Sequence, residues 1–347
     1  MKEIPAKERI TRYLSDLLLR RTENLMGQSS TGVTSVYEKA RDLLARSNNK
    51  TISKIYLQSR SFKRSILRDK YSFVTTNELV VWTAEWLRSF PTTHDLIVGI
   101  PRSGLLVATL ISLKFAKPLT TPELFAQNRY WVSEWLSERI NEKAEYKNIL
   151  LVDDSINTGK TMEEAFRLLC STHRNFNITK AALIGIEDSG DLVDLCYKAV
   201  SRPRVFEWNM LHAKKGKLAS DLDGVICENC PPGVDSDEML YTEWIRTARP
   251  YLIPVFEIDA IVSSRLEKYR SDTEKWLARQ KVRYRELILW DIESKQQRNG
   301  KHAKHKIEHL LRIKPDIFWE SSVGEAKQVW EATKIPTLCI DEMILLS

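Results

Sequence analysis

The chain has 347 residues, 43% of them hydrophobic, enough to bury a sizeable core and to favour two domains over one. Its 53 lysines and arginines exceed its 46 aspartates and glutamates by seven, and the positive charge is spread along the chain, which suits phosphorylated ligands as well as nucleic acid. Five scattered cysteines exclude a disulfide framework, and neither a signal-type apolar core nor a run of roughly 18 apolar residues is present, so a soluble cytoplasmic protein without a membrane partner is expected.

Residues 3 to about 48 carry apolar side chains at helical spacing on either side of the turn-like GQSSTG, which predicts a helical extension over residues 1–69 and a place for a protein or nucleic-acid partner. From about residue 70 the grammar changes. TNELVVWTAEWLRSF reads as a helix capped by Thr76 or Asn77, followed by a strand at DLIVGI and a helix at SGLLVATLISLKF. NILLV and KAALIGI read as strands flanking the helix TMEEAFRLLCST. A second series follows a Lys- and Arg-rich stretch: strands at KLASDL, IDAIVSS, RELILW, DIFWESS and TLCID, with helices near DTEKWLARQ and residues 303–311. Short apolar strands separated by helices predict an α/β chain of two Rossmann-like, mostly parallel sheets in tandem, divided at 70–213 and 214–347.

The most informative stretch is ILLVDDSINTGKT at 149–161. In an open parallel sheet the ligand site lies at the carboxyl ends of the strands. The apolar run would deliver Asp153 and Asp154 to that edge, and the loop from Ser155 to Thr161 would turn into a helix whose first N–H groups suit a phosphate. Ionised carboxylates beside a phosphate can accept hydrogen bonds from sugar hydroxyls. This stretch resembles the phosphoribosyl pyrophosphate (PRPP) loop of type I phosphoribosyltransferases of the orotate phosphoribosyltransferase kind. The resemblance implies that Asp153 and Asp154 hold the ribose hydroxyls and that Ser155, Ile156, Asn157, Thr158, Gly159, Lys160 and Thr161 cradle the 5′-phosphate. Upstream, IPRSG resembles the family's pyrophosphate loop, with Arg102, Ser103 and Gly104 as its residues, and the polar stretch Gln127 to Tyr146 offers a mobile loop with Arg129, Lys143 and Lys147 as candidate charges. The implied reaction is displacement of pyrophosphate by a nitrogenous, base-like acceptor, with Mg2+ on the leaving group. A homodimer is a further expectation. Phe206, Trp208 and Asn209 could recognise the acceptor, or the same segment could pack two domains together.

ASDLDGV at 219–225 places two acids two residues apart after a strand. One such acid can attack phosphorus while the other protonates the leaving oxygen and later activates water. This resembles the first motif of the haloacid dehalogenase (HAD) superfamily, mostly phosphatases. The resemblance implies Asp221 as nucleophile, Asp223 as acid and base, Ser263 and Lys306 (or Lys304) as phosphate-binding residues, and Asp221, Asp223 and Glu320 as magnesium ligands. The usual second acid after Glu320 is replaced by Ser321. The expected activity is hydrolysis of a phosphomonoester, including the 5′-phosphate of the ribosyl product; a PRPP-consuming defence effector and a non-catalytic sensor are the alternatives. CENC at 227–230 has the spacing of half a zinc site but lacks a second half.

Overall fold

The computed structural model describes residues 71–347, apart from 92, 133–145, 173–175, 187–188, 293–296 and 298–299. The expected helical extension over 1–69 and Lys143 lie outside the described residues. The residues from Lys70 to Ser347 form one compact unit.

The first sheet is built from β2 (Leu96–Gly99), β3 (Leu119–Thr120), β4 (Asn148–Ser155), β5 (Asn177–Gly185) and β6 (Leu195–Ala199). Its order is β3-β2-β4-β5-β6, with every pair parallel. β4 is apolar on both faces because both are covered. Leu150 and Val152 meet Leu79, Val107 and Ile111 of helices α1 (Thr76–Trp86) and α2 (Gly104–Phe115). Ile149 and Leu151 meet Phe125 of the short α3 (Pro122–Ala126) and Met162 and Leu169 of α4 (Lys160–Cys170). The cap of α1 is Thr75 and not Thr76 or Asn77. Its hydroxyl accepts from the Glu78 N–H while the Glu78 carboxylate accepts from the Thr75 N–H, the reciprocal capping box of the T-x-x-E spacing.

The second sheet contains β8 (Leu218–Ser220), β9 (Ala260–Leu266), β10 (Leu287–Trp290), β11 (Ile317–Glu320), β12 (Thr337–Cys339) and β13 (Ile344–Leu346). Its order is β10-β9-β8-β11-β12-β13, parallel except for the β12–β13 pair. On one face Ala219, Val262 and Phe318 pack on α7 (His302–Ile313) and α8 (Val323–Thr333) through Leu310, Ile313 and Val329. On the other, Leu218, Ile261 and Trp319 pack with Tyr241 and Ile245 of α5 (Glu238–Thr247) and Trp276 of α6 (Arg270–Arg279).

Between the sheets, β1 (Ser72–Val74) pairs in parallel with β7 (Arg204–Phe206). Tyr71, Val205 and Met210 belong to the same apolar cluster as Leu218 and Trp319. Residues on either side of position 214 thus pack into one cluster, and the Tyr71 hydroxyl donates to the Lys215 carbonyl at 3.0 Å.

Candidate functional site

Two clusters of acids sit where the parallel strands end. In the first, β4 delivers Asp153 and Asp154 to the carboxyl edge of its sheet, and the neighbouring β2 delivers the loop of Arg102, Ser103 and Gly104. Gly104 allows this approach. A Cβ on it would stand 2.8 Å from Asp153 Oδ1 and 3.0 Å from the Val152 carbonyl oxygen, so a side chain would push the two loops apart. Ser103 Oγ donates to Asp154 Oδ1 at 2.6 Å, and the Asp154 N–H donates to Asp153 Oδ1 at 2.8 Å. Burial first, then the adjacent Asp154 charge, raise the Asp153 carboxyl well above the ordinary carboxylate range.

The segment after β7 closes over these loops. Trp208 Nε1 donates to Asp154 Oδ2 at 2.9 Å, and its ring lies parallel to Phe206 with centroids 4.9 Å apart. Arg102 Nη2 donates to Asn209 Oδ1 at 2.7 Å. Arg204 donates to the Gly185 and Ile156 carbonyls, and Arg202 Nη2 donates to the Asn157 carbonyl at 2.9 Å. Within segment 202–209, Val205 packs the seam, Trp208 faces Asp154, and Asn209 meets the Arg102–Ser103 loop.

The loop Ser155–Thr161 leaves β4 and enters α4 through Gly159 in the left-handed region. Asn157, Thr158, Lys160 and Thr161 are exposed, so the loop opens to solvent. One of its expected roles is corrected. Ile156 is buried in the core and its N–H donates to the Ile184 carbonyl at 2.8 Å, so it has no donor left for a phosphate. The Lys160 side chain, 81% exposed, lies beside Glu164 at 3.8 Å, drawn along the helix surface by the opposite charge one turn on. Lys147 is corrected as well. Its N–H donates to Asp95 at the amino end of β4, and the strand residues Asn148 to Val152 separate it from the acids, about 20 Å at strand rise. Arg129 is exposed, its carbonyl accepting from Thr120 Oγ1.

In the second cluster, Asp221 follows β8, Glu320 ends β11, and Lys306 rises from α7 between them. Lys306 Nζ donates to Asp221 Oδ2 at 2.6 Å, Glu320 Oε2 at 2.7 Å and Glu325 Oε2 at 2.8 Å. All three of Asp221, Glu320 and Lys306 are buried. Burial opposes the Lys306 charge, but the three carboxylates outweigh it and hold the ammonium well above the ordinary lysine range. Burial raises Asp221 well above the ordinary carboxylate range despite Lys306. Gly224, at φ +77°, lets the loop after Asp221 fold onto the β11–α8 turn, where a Cβ would stand 2.5 Å from Ser321 Cβ.

Glu325 is the acid that the sequence reading missed. It stands five residues beyond Glu320, in the first turn of α8, whose cap is Ser322. The S-x-x-E spacing of Ser322 and Glu325 was the available signal. Asp223 does not join this group. Its carboxylate accepts from Arg265 Nε at 3.0 and 3.2 Å and from Nη2 at 2.6 Å, and Arg265 is fully buried on β9. Ser263, also fully buried on β9, has its hydroxyl accepting from the Arg265 N–H at 3.2 Å. Lys304 gives way to Lys306. His305 next to it is buried and stacked on Trp290 at 4.6 Å; burial, then His309, lower its pKa to about 4.

The expected magnesium set of Asp221, Asp223 and Glu320 is not convergent, because Lys306 lies between the first and last while Arg265 holds the second. Among the described residues no group of three or more His, Cys, Asp or Glu side chains is arranged to hold a metal ion. Three carboxylates against one ammonium leave negative charge in excess, and their oxygens are of the kind that Mg2+ prefers. No helix among the described residues is long and apolar enough to cross a membrane.

Residues 78–174 match the phosphoribosyl transferase domain family, a span that contains both the Arg102–Gly104 loop and the loop from Asp153 to Thr161. The second sheet lies outside it. No curated protein matches the sequence. Among solved structures, the chain is similar to Helicobacter pylori xanthine-guanine-hypoxanthine phosphoribosyltransferase at 14% identity over 40% of this chain and 92% of that one, with a TM-score of 0.30. It is similar to a purine phosphoribosyltransferase from Pyrococcus horikoshii at 20% identity over 40% and 93%, with a TM-score of 0.28. It is also similar to orotate phosphoribosyltransferase from Aeropyrum pernix at 16% identity over 35% and 71%, with a TM-score of 0.26. The sequence match to the phosphoribosyl transferase domain family is confined to residues 78–174.

Proposed function

We propose that the first site transfers a 5-phosphoribosyl group from PRPP to a nitrogenous acceptor with release of pyrophosphate, and that the second removes phosphoryl groups through Asp221. The observation that carries the first part is the meeting of Asp153 and Asp154 with the Arg102–Gly104 loop inside the span matched by the family. Asp153 and Asp154 accept hydrogen bonds from the ribose hydroxyls, which relieves the crowding of two buried carboxylates. The N–H groups of the loop Asn157–Thr161 and the hydroxyls of Ser155, Thr158 and Thr161 receive the 5′-phosphate at the start of α4. The acceptor nitrogen attacks the anomeric carbon as the C–O bond to pyrophosphate breaks, and Arg102, which reaches Asn209 over the same loop, stabilises the departing oxygens. Alignment and charge stabilisation do this work, and no protein nucleophile is needed. Mg2+ bound with PRPP would neutralise charge on the leaving pyrophosphate.

At the second site Asp221 is the nucleophile toward phosphorus, and Lys306 orients it and offsets phosphate charge. Ser263 is the phosphate-binding residue of β9. Glu320 and Glu325 hold the Lys306 ammonium against Asp221. The test is release of pyrophosphate from PRPP by the full chain with a panel of nitrogenous bases and a cell extract as acceptors, with products read by mass spectrometry. Pyrophosphate release that disappears in Asp154→Asn is expected; release unchanged by that substitution would contradict the assignment.

A further inference from the structure

We infer that Arg202 and Arg204 are positioning residues for the 5′-phosphate of PRPP. From the segment that closes over the first site they tether two successive carbonyls of the loop after β4, and so aim the N–H groups that follow at the ligand. This rests on the reading of Ser155–Thr161 as the phosphate loop and deepens it by naming what holds that loop in shape.

Asn157 and Thr158 are exposed and lie between the end of β4 and Gly159, where the chain turns through the left-handed region into α4. Arg204 Nη2 donates to the Ile156 carbonyl at 2.5 Å, and Arg202 Nη2 donates to the Asn157 carbonyl at 2.9 Å. In a trans peptide the carbonyl and the N–H that follows it point in opposite directions. With its carbonyl turned toward an arginine, each of these two peptides turns the N–H of Asn157 or Thr158 away from it. Neither N–H has a hydrogen-bond partner among the described residues. Two adjacent donors are thus held on the side opposite the arginines, just before the start of α4, and successive N–H groups at such a place suit a phosphate.

The tethers are themselves anchored. Arg204 is buried on β7, which pairs with β1, and its Nη1 donates to the Gly185 carbonyl at the end of β5 at 2.6 Å. Its guanidinium carbon lies 5.2 Å from the centre of the Phe206 ring, the ring that stacks on Trp208. A guanidinium suits this place, because its donors lie in a fixed plane and one side chain can hold carbonyls from two neighbouring strands in a set relation. Arg202 adds a second hold at the exposed edge of the loop. With Trp208 on Asp154 and Asn209 on Arg102, segment 202–209 reaches the phosphate loop, the ribose acids and the pyrophosphate loop together. Both arginines act through the backbone and need not touch the ligand. Their charge also attracts a phosphate, but salt screens that attraction and leaves a tethered carbonyl in place.

The test follows PRPP with magnesium chloride on the full-length protein by calorimetry and by phosphorus NMR, in which the 5′-phosphate and the pyrophosphate give separate resonances. Arg202→Met, at an exposed position, should weaken PRPP binding about tenfold, and the loss should persist between about 0.1 and 0.5 M potassium chloride. The bound 5′-phosphate resonance should move back toward its free position while the pyrophosphate resonances stay in place. Arg202→Lys, which keeps a donor on a stem of similar length, should restore most of the affinity. Arg204→Lys, which cannot hold two carbonyls, should lose more than Arg202→Met; if it does not fold, Arg202→Met decides alone. A loss that fades with salt, or one that moves every phosphorus resonance alike, overturns the inference. Unchanged affinity in Arg202→Met also overturns it, and if Asp154→Asn still weakens binding, the reading of the first site stands. If neither substitution changes PRPP binding, or if PRPP does not bind, that reading falls and the inference falls with it.

Discussion

The two strand-end clusters use the same kind of residue and satisfy it in opposite ways. At the end of β4, Asp153 and Asp154 have hydroxyl, indole and backbone N–H partners and, among the described residues, accept no hydrogen bond from a cation, beside a loop open to solvent. At the ends of β8 and β11, Asp221, Glu320 and Glu325 share one buried ammonium, and Asp223 is forked by a buried guanidinium. Neutral donors can be exchanged for sugar hydroxyls at little cost, whereas charged partners inside the protein cannot be withdrawn without stranding charge. The first cluster is suited to bind and release a polyhydroxyl ligand. The second holds its acids in fixed places around a buried ammonium.

The largest effect expected from this contrast is at Asp221. Asp221→Asn should lower phosphoryl removal by roughly 1,000-fold or more while leaving PRPP binding unchanged, and an equal loss of both would join the two sites into one. Next is Lys306→Met, which removes the one cation shared by three carboxylates. It should destabilise the protein by about 3–5 kcal/mol in chemical denaturation, a cost that no single acid at the first site should match. At the first site, Asp154→Asn should weaken PRPP binding by roughly tenfold or more, a loss of about 1.4 kcal/mol at least. Trp208→Phe should tighten it several-fold, because the indole N–H that competes for Asp154 Oδ2 is gone; weaker binding would make Trp208 part of the ligand contact instead.

The pH dependence separates the clusters further. Asp153 is raised in the folded state, so the native protein holds that proton more tightly than the unfolded chain does. Its contribution to stability is therefore greatest in acid and declines as pH rises from about 4 through the raised value. Asp153→Asn should abolish that decline in pH-resolved thermal unfolding. His305 works the other way. Its pKa falls from 6.5 to about 4, so the folded state loses stability as pH drops from 6.5 toward 4, and His305→Gln should flatten the profile there. The smallest effect belongs to Lys160. Lys160→Ala should change PRPP affinity less than about twofold, since its charge is exposed beside Glu164.

What the sequence made legible was whatever chemistry is written locally. ILLVDDSINTGKT states a buried strand, two acids and a turn into a helix within thirteen residues, and the structure has each of them in that order. The parallel order of both sheets followed from apolar strands alternating with helices. What stayed hidden depends on contacts far apart in the chain. Arg265 sits 42 residues from Asp223, and its only local mark is a charge within the otherwise apolar and small-residue strand AIVSSRL. Trp208 lies 54 residues from Asp154. Glu325 was hidden differently: Ser321 and Ser322 follow Glu320 where a second acid was sought, and the helix that carries the acid begins just beyond them. Packing by the segment around Phe206 was open from sequence, but its parallel pairing with β1 was not, because a three-residue strand carries too little periodicity to be recognised.

The account stands most directly on where PRPP binds. Calorimetric titration of PRPP with magnesium into the full-length protein, its Asp154→Asn variant and its Asp221→Asn variant addresses this without knowledge of the acceptor. Saturable binding to the unaltered protein and to Asp221→Asn, with at least a tenfold loss in Asp154→Asn, is the expected result. Equal affinity in Asp154→Asn, or binding lost only in Asp221→Asn, would place the ligand elsewhere and contradict it.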